Sequence, residues 1–372
     1  MGTLLMKERI VGFDAIKSVS IYLVVLVHYS FYVPLIKDTP LANFIIILSN
    51  IGVPLFLAVN GALLFSKSLD VKRHYAKTAR IVLITLVWRA LSAWIMSLIV
   101  SQNPLERGMR AFLDYVLFGD LEGFMLGHFW FMNALIALYL LYPVIRICLD
   151  TLQGVFVVEC LLGIVLLLTF VPNILDILVS VMSFYLGIPS FSFATVAQRI
   201  NPFGSFGYVL VYFVGGGLLR QARNTPDSTD LSARISSAAS YKLVMTFFAS
   251  WILLFLVQRF QRASLGPSFA VEGGYWNIAT LLMTVSLFEL FSRMRFNRPQ
   301  FSRALRIIGD NTLGIYFTHM FALMALGQLA DMLPAQLPLA INLLCVLLVC
   351  LACLLVSCSF RKVPLVRTLF NL

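Results

Sequence analysis

Charge is the scarcest property of this sequence. Asp, Glu, Lys and Arg make up 12% of its 372 residues, against 60% hydrophobic residues and a mean hydropathy of +0.91. A soluble domain carries about 25% charged residues to cover its surface, so a soluble globular class is excluded. Polar linker is nearly absent too: "RQARNTPDSTDLSARISSAAS", in the stretch 220–242, is the one clearly loop-like segment, and it is too short to be a domain. A single membrane domain over 1–372 is therefore expected, with 220–242 as a polar cytoplasmic loop. There is no glycine-rich phosphate loop of the P-loop or dinucleotide type. Nor is there an H-x-x-H pair, or a nearby Cys/Asp partner for the histidines within the apolar runs, so no metal is expected. No internal repeat shows in the motifs.

What fills the chain is apolar runs of spanning length, at 12–33, 41–65, 81–100, 129–147, 155–171, 203–219, 243–257, 275–291, 307–329 and 337–360. Each is near the roughly 20 residues that a bilayer core requires. The fold class expected is all-α, a polytopic transmembrane bundle of about ten spans. Residues 173–189, apolar but ended by Gly187 and Pro189, read as a re-entrant or interfacial segment, with an eleventh span as the alternative. The first run is too long for a signal-peptide core and is expected to stay as an anchor.

The formal charge of +11 follows topology before it follows any ligand. With the N-terminus inside, basic residues collect in cytoplasmic segments, leaving Lys37, Arg107, Arg110, Arg199, Arg259 and Arg262 outside; both termini are then cytoplasmic. No nucleic-acid partner is implied. Four of the six cysteines, Cys345, Cys350, Cys353 and Cys358, fall on the last run, where they read as small packing residues.

Against this background the ionisable residues inside apolar runs stand out. In "GFDAIKSVSIYLVVLVHYSFYVP", Lys17 to His28 is about 20° past three helical turns, and Asp14 to His28 about 40° short of four. The three share one face, with Lys17 and His28 about 16 Å apart along the axis. A charge in lipid costs at least ~2.5 kcal/mol, so this stripe faces protein or water. One reading is a set of interhelical hydrogen bonds that only orients the helix; the other is a reactive imidazole, a good general base or acyl acceptor. Arg89, His128, Glu289 and His319 lie at comparable places, His319 about 18 Å into its helix, and a shared polar cavity is expected. The fourth histidine, His74, is placed on the cytoplasmic side. Arg73, Lys77 and Arg80, spaced i, i+4, i+7, form a basic ladder on one helical face. That ladder serves either topology and anionic lipid or a multiply phosphorylated ligand.

Together these stretches resemble the integral-membrane acyltransferase 3 family over nearly the whole chain. The carriers are "GFDAIKSVSIYLVVLVH" with Lys17 eleven positions before His28, "IGVPLFLAVNGALLF", "KTAR", "HFWFMNALIALYLLYPVI" and "LGIYFTHMF". The resemblance implies an O-acyltransferase of the bacterial cytoplasmic (inner) membrane, similar to the family's cell-envelope glycan acetyltransferases. It implies acetyl-CoA as acyl donor on the cytoplasmic side, no bound cofactor, and a saccharide or lipid-linked saccharide as acceptor. By the same likeness His28 is catalytic, Lys17 its basic companion, and Lys77 with Arg80, beside Arg73, the donor-phosphate site. Two departures are visible: the basic pair is Lys and Arg rather than two arginines, and Lys17 stands where Arg is common. Lys lacks the bidentate fork of Arg. No fused extracellular transferase domain is expected at this length, and a homo-oligomer stays open. The alternative function is a transporter or lipid-linked-saccharide flippase, whose cavity also needs buried ionisable groups; a non-catalytic scaffold leaves the stripe on the first helix unexplained.

Overall fold

The computed structural model describes residues 9–33, 35–97, 108–119, 127–189, 191–223, 231–265, 274–330, 332 and 336–370. Among the described residues there is no strand, only one isolated bridge between Ile36 and Leu337. The helices in chain order are α1 Val11–Tyr32, α2 Pro40–Phe65 with a 3-10 stretch at Ile47–Ile51, α3 Val71–Ser97, α4 Met109–Phe118 and α5 Trp130–Cys148. There follow α6 Leu152–Leu186, α7 Phe193–Ile200, α8 Gly207–Ala222, α9 Leu231–Ser237, α10 Ser240–Leu265, α11 Ile278–Arg293, α12 Pro299–Ala330 and α13 Leu339–Phe360. Over the described residues each of the ten apolar runs is helical, and the fold is the all-α polytopic bundle that the hydropathy implies. Among the described residues eight helices are long and apolar enough to cross a membrane, or nine if the pair bent by 101° at α7 and α8 is one span. The remaining run is α11, whose 16 residues rise about 24 Å, short of the about 30 Å of a bilayer core.

Two expectations change. Residues 173–186 are not a separate re-entrant segment: they are the last turns of α6, a continuous helix of 35 residues that contains Pro172 and ends at Gly187 with φ 65°. Proline removes one backbone donor without ending a helix whose other bonds persist. Asp176 faces the start of α7: its carboxylate accepts from Ser192 Oγ at 2.9 Å and from the Phe193 and Ala194 amides at 2.5 and 3.2 Å. Those amides would otherwise be orphan donors of a helix N-terminus. The stretch 220–242 is partly helical, through the end of α8, all of α9 and the start of α10, while 224–230 lie outside the described residues. By their internal contacts the helices group into two compact units, Met1–Ala62 with Gly216–Leu355 and Leu63–Gly215 with Val356–Leu372.

In the first unit α1 packs on α11 and α12 through glycines. A Cβ on Gly12 would collide with the Phe291 carbonyl oxygen, and beside it Phe13 stacks on Phe288 at 5.9 Å. A Cβ on Gly309 would lie 2.7 Å from Asp14 Oδ1, and one on Gly327 2.9 Å from the Tyr32 carbonyl oxygen. Gly309 to Gly327 and Asp14 to Tyr32 span the same number of residues, about five turns. α1 and α12 therefore run parallel, side by side over about 27 Å. The far end of α1 is tied to the start of α13, where Leu337 N–H donates to Leu35 O at 2.9 Å and Tyr29 Oη donates to Asn342 Oδ1 at 2.6 Å.

The second unit is built on α3, α5 and α6. α3 begins ten residues before the apolar run it carries, so the basic ladder is helical. His74 is buried in this helix, its Nε2 donating to the Tyr139 carbonyl of α5 at 2.7 Å. On the same helix α5, Tyr142 Oη donates to Leu64 O near the end of α2 at 2.9 Å.

Candidate functional site

The ten residues singled out in the sequence divide between the units. Asp14, Lys17, His28, Glu289 and His319 lie in the first; Arg73, Lys77, Arg80, Arg89 and His128 lie in the second.

On α1 the stripe is resolved into separate roles. Asp14 is buried and accepts from Arg9 Nε and Nη2 at 2.8 and 2.7 Å, while Arg9 also reaches Asp310 at 2.7 Å. The Asp14 carboxylate, and then Asp310, hold the Arg9 proton more tightly than usual, against some loss of hydration. This ion pair ties the N-terminal end of α1 to α12, about 21 Å along the axis from His28. Lys17 is half-buried, one turn beyond Asp14.

His28 is half-buried, and His319 of α12 is fully buried. Their ring centroids are 5.0 Å apart with the planes at 65°, and Tyr32 lies parallel to His28 at 6.4 Å. His28 Nδ1 is 2.8 Å from the Val24 carbonyl oxygen, and His319 Nδ1 is 2.6 Å from that of Tyr316. A carbonyl oxygen only accepts, so in both rings Nδ1 carries the proton and Nε2 keeps the lone pair. That is the tautomer required of a general base acting through Nε2.

Glu289 does not join the histidines. It has 0% exposure, and its Oε2 accepts from Arg223 at 2.5 Å and from Arg293 at 3.3 Å. Arg293 also donates to the carbonyls of Ile235, Ser236 and Ala238 at 3.2, 2.9 and 2.6 Å, closing the C-terminal end of α9. The glutamate is a tie between α8, α9 and α11. Sequence reasoning missed both arginines. Arg293 was legible as an i, i+4 partner, whereas Arg223 carried no local signal.

In the second unit Arg73, Lys77 and Arg80 are all exposed on one face of α3, opposite the buried His74 and Thr78. Arg89 is 2% exposed and works as a cap: its Nη1 donates to the carbonyls of Val116 and Leu117 at 3.3 and 2.9 Å, at the end of α4. Its Nη2 donates to Asn133 Oδ1, and Asn133 in turn donates to Phe118 O at 2.8 Å. A cation placed on the last carbonyls of a helix is favoured by both hydrogen bonding and the helix dipole. Gly119 completes the cap with φ 74°, and a Cβ there would meet the guanidinium. His128 is buried with its ring 4.5 Å from Phe129, whose face Arg89 covers at 5.6 Å. Beside this cluster, Trp130, Asn133, Ala137 and Phe206 help line a largely apolar cavity of about 590 Å³. The shared cavity expected from the sequence is thus gathered within neither unit; what the first unit does bring together is His28 with His319.

The profile of a family described as an acyltransferase domain matches residues 10–360. No curated protein and no solved structure matches the chain.

Proposed function

We propose, since the chain belongs to the acyltransferase 3 family and is an integral-membrane acyltransferase, that it moves an acetyl group from acetyl-CoA to a hydroxyl of a cell-envelope or lipid-linked saccharide. The observation that carries this reading is the state of His28: a membrane-embedded imidazole whose Nδ1 proton is held by the Val24 carbonyl, leaving Nε2 basic. In the proposed reaction the acceptor hydroxyl gives its proton to His28 Nε2 as its oxygen attacks the thioester carbonyl carbon. The C–S bond then breaks with its electron pair on sulfur, and the thiolate takes the proton back from Nε2. Lys17, on the same face of α1, supplies positive charge to the negatively charged substrate groups. The donor is a phosphorylated thioester, and we assign its phosphates to the exposed face carrying Arg73, Lys77 and Arg80. We assign the protein to the bacterial inner membrane on the family resemblance, and both termini to the cytoplasm on the distribution of its basic loops.

Mass spectrometry of envelope glycans from cells with and without the protein tests the reading. Loss of one acetyl mass per acceptor unit is expected. Unchanged acetylation with altered lipid-linked saccharide distribution would favour a flippase.

The donor assignment makes its own prediction. Lys77→Ala and Arg80→Ala should each weaken acetyl-CoA binding by up to about fivefold, since an exposed ion pair contributes at most about 1 kcal/mol. Binding to the parent protein should also weaken as salt rises, because charges at an exposed rim are screened within about 10 Å at 0.1 M. Isothermal titration across a salt series checks both; salt-independent binding would leave the ladder a topology signal only.

A further inference from the structure

We propose that His319 is the positioning partner of His28: it holds the ring in place during acyl transfer. The inference rests on the acyltransferase reading above, and adds to it a second residue from a helix about 290 positions away in sequence.

The packing of α1 on α12 is what creates the pair. Gly309 against Asp14 and Gly327 against Tyr32 bring the two backbones close at both ends of a parallel contact, so side chains between those points within about one turn of each other meet across it. His28 and His319 lie between them, with centroids 5.0 Å apart. Each ring is also clamped within its own helix, through Nδ1 to Val24 O and to Tyr316 O. Rotation about the side-chain bonds would break those bonds, so the rings keep both their orientation and their tautomer. Tyr32, parallel to His28 at 6.4 Å, bounds the ring on another side.

Burying an imidazole at 0% exposure costs more than burying a phenyl ring of similar size, because a polar ring loses hydration. A purely packing role would be served by Phe. What the imidazole adds over a phenyl ring is its nitrogens: Nδ1, held 2.6 Å from the Tyr316 carbonyl oxygen, fixes the ring in its orientation beside His28, 5.0 Å away with the planes at 65°. The two carboxylates expected near His28 are committed to arginines, Asp14 to Arg9 and Glu289 to Arg223 and Arg293. In the reaction His319 itself neither gains nor loses a bond. The hydroxyl proton passes to His28 Nε2 and from there to the thiolate, while His319 fixes the direction in which Nε2 points.

The experiment compares His319→Phe and His319→Asn with His28→Ala and the parent, all as full-length purified protein, measuring kcat and KM for acetyl-CoA and acceptor. His319→Phe keeps the ring and removes both nitrogens; its kcat should fall by about 100-fold, the scale expected when a reacting group is misplaced by about 1 Å, with both KM values unchanged. His319→Asn, smaller than the imidazole and so free of overpacking, should recover part of that kcat through its polar side chain. Parental kcat in His319→Phe overturns the inference, and so does a loss that appears in KM rather than kcat. Should the Phe variant fail to fold, parental kcat in the Asn variant overturns it equally. If His28→Ala itself retains activity, it is the underlying acyltransferase mechanism that fails; if only the His319 variants retain it, the pairing fails alone.

Discussion

Replacing His28 with Ala is expected to lower kcat for acyl transfer by about 10²–10⁴-fold, the range for a general acid–base group, with the protein still inserted and folded. The imidazole is half-buried and its polar contacts shown here are local, a bond to the Val24 carbonyl one turn away and two ring neighbours. Its removal therefore takes away chemistry while leaving the glycine-mediated contact of α1 with α12 intact. Lys17→Arg should be milder than Lys17→Ala, because arginine keeps positive charge on the stripe and alanine does not. The check is a steady-state assay on purified protein whose elution profile matches the parent. Activity near the parental level in His28→Ala would make the histidine structural and remove the chemical basis of the proposed reaction.

The largest stability effect is expected at Glu289. Substituting Ala leaves Arg223 and Arg293 facing each other across the space the carboxylate occupied, both with side chains only about a quarter exposed, at 23% and 25%. Removing one partner of a buried ion pair costs about 3–5 kcal/mol, because the remaining charge keeps its desolvation cost and loses its compensation. Here two like charges remain, so the upper part of that range applies. Thermal unfolding in detergent should show a clear fall in Tm for Glu289→Ala and a smaller one for Glu289→Gln, which still offers a hydrogen-bond acceptor. A variant with parental Tm and lost activity would return Glu289 to the reacting site and make its ion pairs incidental.

These two residues also mark where reading the chain alone succeeds and where it stops. Hydropathy is a local property, and so all ten apolar runs, from 12–33 to 337–360, were legible as helices without any structure. Their ends were less so. α3 starts ten residues early because its first turns bury His74 and Thr78 while exposing Arg73, Lys77 and Arg80, a pattern that an apolar window discards. Helical arithmetic likewise placed Asp14, Lys17 and His28 on one face, since about 100° per residue needs no partner to be true.

What the sequence by itself determined is the class of molecule, the positions of its spanning helices, the family motifs and the identity of the embedded imidazoles. Those follow from composition, from period and from residues near one another in the chain. Only the tertiary structure decided which ionisable groups meet. Asp14 pairs with Arg9 and, through it, with Asp310, a contact 301 residues apart for Arg9. Glu289 takes Arg223, Arg89 closes the end of α4, and His28 finds His319. The physical reason is that a charged group in apolar surroundings must be satisfied by whatever the packing of helices brings to it. That packing is set by close backbone contacts such as Gly309 on Asp14 and Gly12 on Phe291, which no local rule of spacing encodes.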